Sequence, residues 1–163
     1  MIVAMHNKHP PLSALSESVL PDDFNGGFMH VIHLFYLSIQ KRLETALVKS
    51  NEISFSQFLV LVGFSCKEHL HFTQAKLAEH LMLTEATISR HTRTLVTLGL
   101  LTKEKDITNK KSYNLKLTSA GVNAFTRAKK VIMKELDVSF SHITQVDKKI
   151  IMSNFTKSTS LLQ

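Results

Sequence analysis

The run Thr84-Glu85-Ala86-Thr87-Ile88-Ser89-Arg90-His91-Thr92-Arg93-Thr94-Leu95 constrains this chain more than any other stretch. At 3.6 residues per turn, Ile88, Leu95 and Leu98 fall on one side of a helix, with Thr92 and His91 at its margins. Ala86, Arg90, Arg93 and Thr97 fall on the opposite side, flanked by Ser89. Thr84 is placed to cap the start, and Glu85 lies in the first turn, where the helix dipole favours an acid. Gly99 follows the last apolar position, where a left-handed residue ends a helix.

The apolar side is narrow, and the other is small, hydroxylated and twice cationic. A helix that enters the major groove of DNA needs this division. A bulky outward face would hold the backbone away from the base edges, and an acidic one would be repelled by phosphate.

Upstream, Thr73 is expected to cap a shorter helix from Gln74 to about His80, with Leu77, Ala78 and Leu81 as its apolar stripe and Met82-Leu83 as the turn into Thr84. Downstream, Leu101 to Lys105 and Ser112 to Leu117 read as two strands around the polar loop Asp106 to Lys111. In the second strand Tyr113, Leu115 and Leu117 alternate with Ser112, Asn114 and Lys116. A basic-tipped hairpin after a reading helix is a wing.

Charge follows the same layout. The 20 Lys and Arg exceed the 13 Asp and Glu, leaving +7. Residues 1–65 carry 4 basic and 5 acidic groups, residues 66–116 carry 9 and 5, and residues 117–163 carry 7 and 3. The basic surplus therefore starts where the helix-turn-helix starts. No apolar run approaches the roughly 18 residues of a membrane span, and Met1 to Met5 are too short for the apolar core of a signal peptide. A lone cysteine, Cys66, excludes an internal disulfide. A cytoplasmic protein without membrane attachment is expected.

With 163 residues, 44% hydrophobic, and no Gly/Ser/Pro-rich linker, the chain is expected to build one core. Residues 1–23, with Pro10, Pro11 and Pro21, read as a flexible arm, and residues 24–163 as a single domain. From about Asp23 to Lys49, Phe28, Ile32, Phe35, Ile39, Leu43 and Leu47 recur at helical spacing. Met29, Val31, Leu34, Tyr36 and Leu37 widen that surface beyond one stripe.

From Ser119 to about His142, Phe125, Ala128, Ile132, Leu136 and Phe140 form a second stripe behind a Thr118 cap. Thr144 or Asp147 opens a last helix with Ile150, Ile151, Phe155 and Leu161-Leu162. Apolar surface too wide for internal packing predicts a second copy, so residues 24–50 and 119–163 are assigned to dimerisation and 54–118 to the winged head. Between them, Ser54 and Gln57 have capping-box spacing ahead of an apolar run to Phe64. Its β-branched residues would suit a strand, but the cap and the length favour a buried helix.

This order of elements resembles the MarR family of winged-helix transcription regulators over roughly residues 25 to 160. The stretches that carry the likeness are Leu77-Ala78-Glu79-His80-Leu81, Thr84-x-x-Thr87-Ile88-Ser89-Arg90, Leu95-Val96-Thr97-Leu98-Gly99-Leu100-Leu101 and Leu115-Lys116-Leu117-Thr118-Ser119-Ala120-Gly121. The resemblance implies a mainly helical fold with a small β-hairpin wing. It implies a homodimer on a pseudo-palindromic operator in double-stranded DNA, acting as a repressor relieved by a small-molecule effector, and no enzyme activity. Family wings commonly carry arginines near the tip, whereas this one offers Lys110 and Lys111. Lysine lacks the guanidinium fork, so phosphate contact is expected there rather than minor-groove insertion.

The DNA-contact candidates are therefore Thr84, Ala86, Thr87, Ser89, Arg90, Arg93 and Thr97 on the helix, with Lys103, Lys105, Lys110 and Lys111 on the wing. The lysines are the less specific signal, because exposed hairpins are lysine-rich in general. Phe28, Phe35, Tyr36, Phe55 and Phe58, with Met29 and Phe64, are placed where the family binds aromatic effectors, although aromatic stripes at helical spacing more often form ordinary core.

His30 with His33, and His69 with His71 near Cys66, fall short of the three or four converging ligands zinc requires, so no metal or cofactor is assigned. Cys66 could sense an oxidant, but reads more readily as a small buried hydrophobe. A metal- or oxidant-responsive sensor, or a winged-helix protein-interaction module without DNA binding, stand as alternatives. No nucleophile with a neighbouring base, Gly-rich phosphate loop or carboxylate pair supports an enzyme.

Overall fold

The structure, a computed structural model, describes residues 24–65, 72–105 and 113–161. The elements are α1 (Phe24–Lys49), α2 (Phe55–Val62) with a 3₁₀ turn at Gly63–Ser65, β1 (Phe72–Thr73), α3 (Gln74–His80), α4 (Glu85–Thr97), β2 (Leu101–Lys105), β3 (Tyr113–Leu117), α5 (Ser119–Ser139) and α6 (Gln145–Leu161). The N-terminal arm expected over residues 1–23 lies outside the described residues. Two compact units divide the chain within α1, Met1–Lys41 and Arg42–Gln163.

In the first unit the described part is the N-terminal portion of α1, and Met29, Val31, Tyr36 and Leu37 are exposed on it. The second unit holds the core. Leu47, Val60, Leu61, Leu77, Ile88, Leu95, Leu101 and Leu115 are buried there together with Ala128 and Ile132 of α5. Each large aliphatic side chain so buried contributes roughly 1.5–3 kcal/mol relative to exposure.

Caps decide where the helices begin. Ser54 accepts from the Gln57 amide at 3.2 Å while the Gln57 side chain accepts from the Ser54 amide at 3.0 Å, a complete capping box for the apolar α2. The Glu44 carboxylate adds a third acceptor, 2.7 Å from the Phe55 amide. Thr73, Thr84 and Thr118 cap α3, α4 and α5 by accepting from Lys76, Thr87 and Gly121. Thr144 does the same for α6, accepting from the Asp147 amide at 3.2 Å. The α5 helix ends at Ser139 with Phe140 as its cap, a turn before the expected His142.

Among the described residues the sheet has three strands in the order β1-β3-β2, all antiparallel. The hairpin pairs Leu101 with Leu117 and Lys105 with Tyr113. The β1 strand, pairing Phe72 with Leu115, has no sequence signature because two residues carry no alternation. In β3 only Leu115 is buried, while Tyr113 is exposed and Leu117 half-buried, so its alternation is incomplete.

Inside α4 the expected apolar side is also different. Thr92 is fully buried between Ile88 and Leu95, and Leu98 is exposed. The helix ends at Thr97, and the chain leaves through Gly99 at φ +69°, so helical periodicity no longer governs Leu98. Thr92 tolerates burial because its hydroxyl donates back to the Ile88 carbonyl at 2.8 Å.

Candidate nucleic-acid interface

The helix-turn-helix is assembled from local hydrogen bonds. After α3 the Met82 amide donates to the Glu79 carbonyl at 3.1 Å and the Leu83 amide to the Ala78 carbonyl at 2.9 Å. Met82 takes a left-handed conformation, φ +52°, which turns the chain tightly into Thr84. The Thr84 and Thr87 hydroxyls lie 2.9 Å apart, so both are engaged at the cap.

On α4, Ala86, Arg90, Arg93 and Thr97 are exposed, and Thr87 and Ser89 are half-buried. None of the three ion pairs among the described residues involves Arg90 or Arg93. Their guanidinium groups are accessible to an outside anion. The Thr97 hydroxyl donates to the Arg93 carbonyl at 3.1 Å, which leaves its oxygen as an acceptor. Glu85 is the sole acid on α4, placed at the N-terminal end.

On the hairpin, Lys103 stands over the Tyr113 ring, its Nζ 4.2 Å from the centroid. The register makes them diagonal neighbours, since Lys103 pairs with Leu115 and Lys105 with Tyr113. Lys105 is exposed, and Lys116 forms a 2.6 Å ion pair with Glu104. Lys110 and Lys111, the expected wing-tip contacts, lie outside the described residues.

Two residues near this face were not singled out from sequence. The Gln74 side chain donates to the Thr92 hydroxyl at 2.8 Å, joining the start of α3 to the middle of α4. Tyr113, read only as part of a strand pattern, is the platform for Lys103. His91 is half-buried beside Arg90. Burial, reinforced by that charge, holds its imidazole below the ordinary value of 6.5.

Of the candidate aromatic residues, Phe55 and Phe58 lie together in the second unit, their rings stacked with centroids 6.4 Å apart. Phe58 stacks in turn on Phe125 of α5 at 5.2 Å with the planes 7° apart, a packed arrangement. Phe28, Phe35 and Tyr36 belong to the first unit and are exposed. An open groove of about 550 Å³ runs along α5 past Lys129, Lys130 and Lys134, and none of these five aromatics lines it. Among the described residues no three His, Cys, Asp or Glu side chains cluster to hold a metal, and Cys66, His69 and His71 lie outside them. No helix among the described residues is long and apolar enough to cross a membrane.

A capped helix-turn-helix followed by a β-hairpin, whose sheet is completed by the preceding β1, defines the winged-helix class. Residues 53–113 match the model of the MarR family. Three solved structures share the fold. A MarR mutant from E. coli complexed with operator DNA superposes with a TM-score of 0.71 at 18% identity, covering 79% of this chain and 91% of that one. The S. aureus MepR-DNA complex gives 0.73 at 19% identity, covering 83% and 98%. The organohalide-sensing RdhR regulator, bound to 2,4-dichlorophenol, gives 0.75 at 19% identity, covering 95% and 87%. No curated protein matches the chain by sequence. The winged head of this chain is thus similar to that of the MarR family, and the solved neighbours share its fold.

Proposed function

We propose that this protein is a sequence-specific, double-stranded-DNA-binding transcription regulator, working in the cytoplasm as a homodimer on a pseudo-palindromic operator. The observation that carries the reading is the outward face of α4, where Arg90 and Arg93 stand exposed and outside any ion pair beside Ala86 and the Thr97 hydroxyl. Arginine forks of this kind suit both phosphate and guanine edges. Ala86 and Ser89 are assigned near the base edges, and Thr84 and Thr87 at the N-terminal end of α4, with Lys103, Lys105, Lys110 and Lys111 on the wing, to backbone contact. The operator-bound E. coli neighbour and the DNA-bound S. aureus neighbour support the same use of the fold.

Dimerisation is supported by α6, which buries none of its 17 residues although Val146, Ile150, Ile151 and Met152 are apolar. A helix that buries none of its residues gains little from packing, so a partner chain is the natural cover. Repression, with release by a small aromatic ligand, is the mode we assign. The dichlorophenol-bound neighbour is consistent with such a ligand.

Selection from a pool of random duplexes tests the reading. It is expected to enrich an inverted repeat whose half-sites are about one helical turn, roughly 34 Å, apart. Failure to enrich any duplex contradicts it.

A further inference from the structure

We infer that Gln74 is a positioning residue that fixes the rotation of α4 against the wing sheet and so sets where Arg90 and Arg93 reach. This rests on the DNA-binding reading of α4. Thr92 is the one buried polar side chain among the described residues, 1% exposed, and it lies at the centre of the inward face. Its single hydroxyl hydrogen is directed at the Ile88 and Ser89 carbonyls, 2.8 and 3.2 Å away. The hydroxyl oxygen is then left to accept from Gln74, which it does at 2.8 Å. No buried side-chain polar atom lacks a partner among the described residues.

The position of Gln74 gives the bond its purpose. Gln74 directly follows β1, whose Phe72 and Thr73 pair with Leu115 and Asn114 of the central strand β3. That strand is also half of the wing hairpin. A continuous path of backbone pairing, one residue step and one side-chain hydrogen bond therefore joins the wing to the middle of the reading helix.

Ile88 and Leu95 seat α4 by apolar contact, which has no preferred direction of its own and opposes a roll less sharply than a directional bond does. The Gln74 bond has direction and stops the roll. At 3.6 residues per turn Arg90 lies about 160° round the helix from Thr92, and Arg93 about 100°. A roll of ~20° would carry a group ~6 Å from the axis by about 2 Å. Binding constellations need placement to within about 0.5 Å.

The test uses the full chain, an operator recovered by selection and a random duplex of equal length. Thr92→Val keeps the shape and removes the hydroxyl, Gln74→Met keeps the length and removes the donor, and Thr92→Ser keeps the hydroxyl and removes a methyl group. Thr92→Val and Gln74→Met are each expected to weaken operator binding about tenfold, with random-duplex binding, which depends on phosphate contacts, within about twofold of wild type. The double variant should be no weaker than the worse single one. Thr92→Ser should keep operator affinity while its Tm falls.

Operator affinity that merely tracks Tm across the set, or an unchanged ratio of operator to random binding in Thr92→Val and Gln74→Met, overturns the inference. A wild-type protein with no preference for any duplex overturns the DNA reading itself, and the inference with it.

Discussion

A methyl group on Gly121 would overlap the carbonyl oxygen of Leu100 and press to 2.7 Å from Leu117 Cδ1. That carbonyl cannot easily retreat, because it accepts from both the amide and the hydroxyl of Thr118 at 3.1 Å. Thr118 also donates to the Gly99 carbonyl at 2.8 Å, so the end of α4, the wing and the start of α5 meet at this point. Gly121→Ala is expected to destabilise the protein by about 1–3 kcal/mol through overpacking. Chemical denaturation measures it, and wild-type stability would show that the closure can relax.

Gly99 presents the opposite case. Nothing lies within 4 Å of an added Cβ, but its φ is +69°. The cost of substitution is therefore purely backbone. Gly99→Ala should lose about 1–2 kcal/mol, and Gly99→Asn less, since asparagine tolerates the left-handed region better. Denaturation midpoints in the order Gly, Asn, Ala are predicted.

Ile150 is about half exposed on α6. In an isolated protomer Ile150→Asp should change stability by no more than about 0.5 kcal/mol, as surface substitutions usually do. In the proposed dimer it buries an unpaired carboxylate. Sedimentation should find the wild type dimeric and the variant monomeric, whereas a wild-type monomer would remove the dimer from the account.

His91 should make the protein acid-sensitive. Its imidazole is held below 6.5 by burial and then by Arg90, so the folded state takes up the proton later than the unfolded chain does. Its contribution is fully present above about pH 6.5 and is lost as pH falls through the lowered folded value. Tm of the wild type should therefore drop more steeply than that of His91→Gln on acidification below pH 6.5, and parallel curves would contradict this.

Legibility in the sequence divided along the range of the interactions. Ser54, Thr73, Thr84 and Thr118 could be read as caps because a cap and its recipient amide lie three residues apart. The bounds of β2 and the left-handed Gly99 were legible for the same local reason. Thr92 and Leu98 were read on the wrong footing. Periodicity does not record that a hydroxyl can satisfy itself on its own helix, nor that the helix has already ended. The Gln74 to Thr92 bond spans 18 positions and the Lys103 to Tyr113 contact depends on hairpin register, so neither has a signature in linear spacing. Exposure of Arg90 and Arg93 followed from the helical wheel because α4 is amphipathic and strongly capped.

The most direct test of the central claim is the salt dependence of operator affinity for wild type and Arg90→Ala. Binding through α4 predicts a steep fall with salt for the wild type and, for the variant, affinity lower by at least about tenfold and a salt slope smaller by about 0.9 log unit if Arg90 meets phosphate. Identical affinity and slope in the two proteins, both folded, would contradict a reading helix in which Arg90 touches DNA.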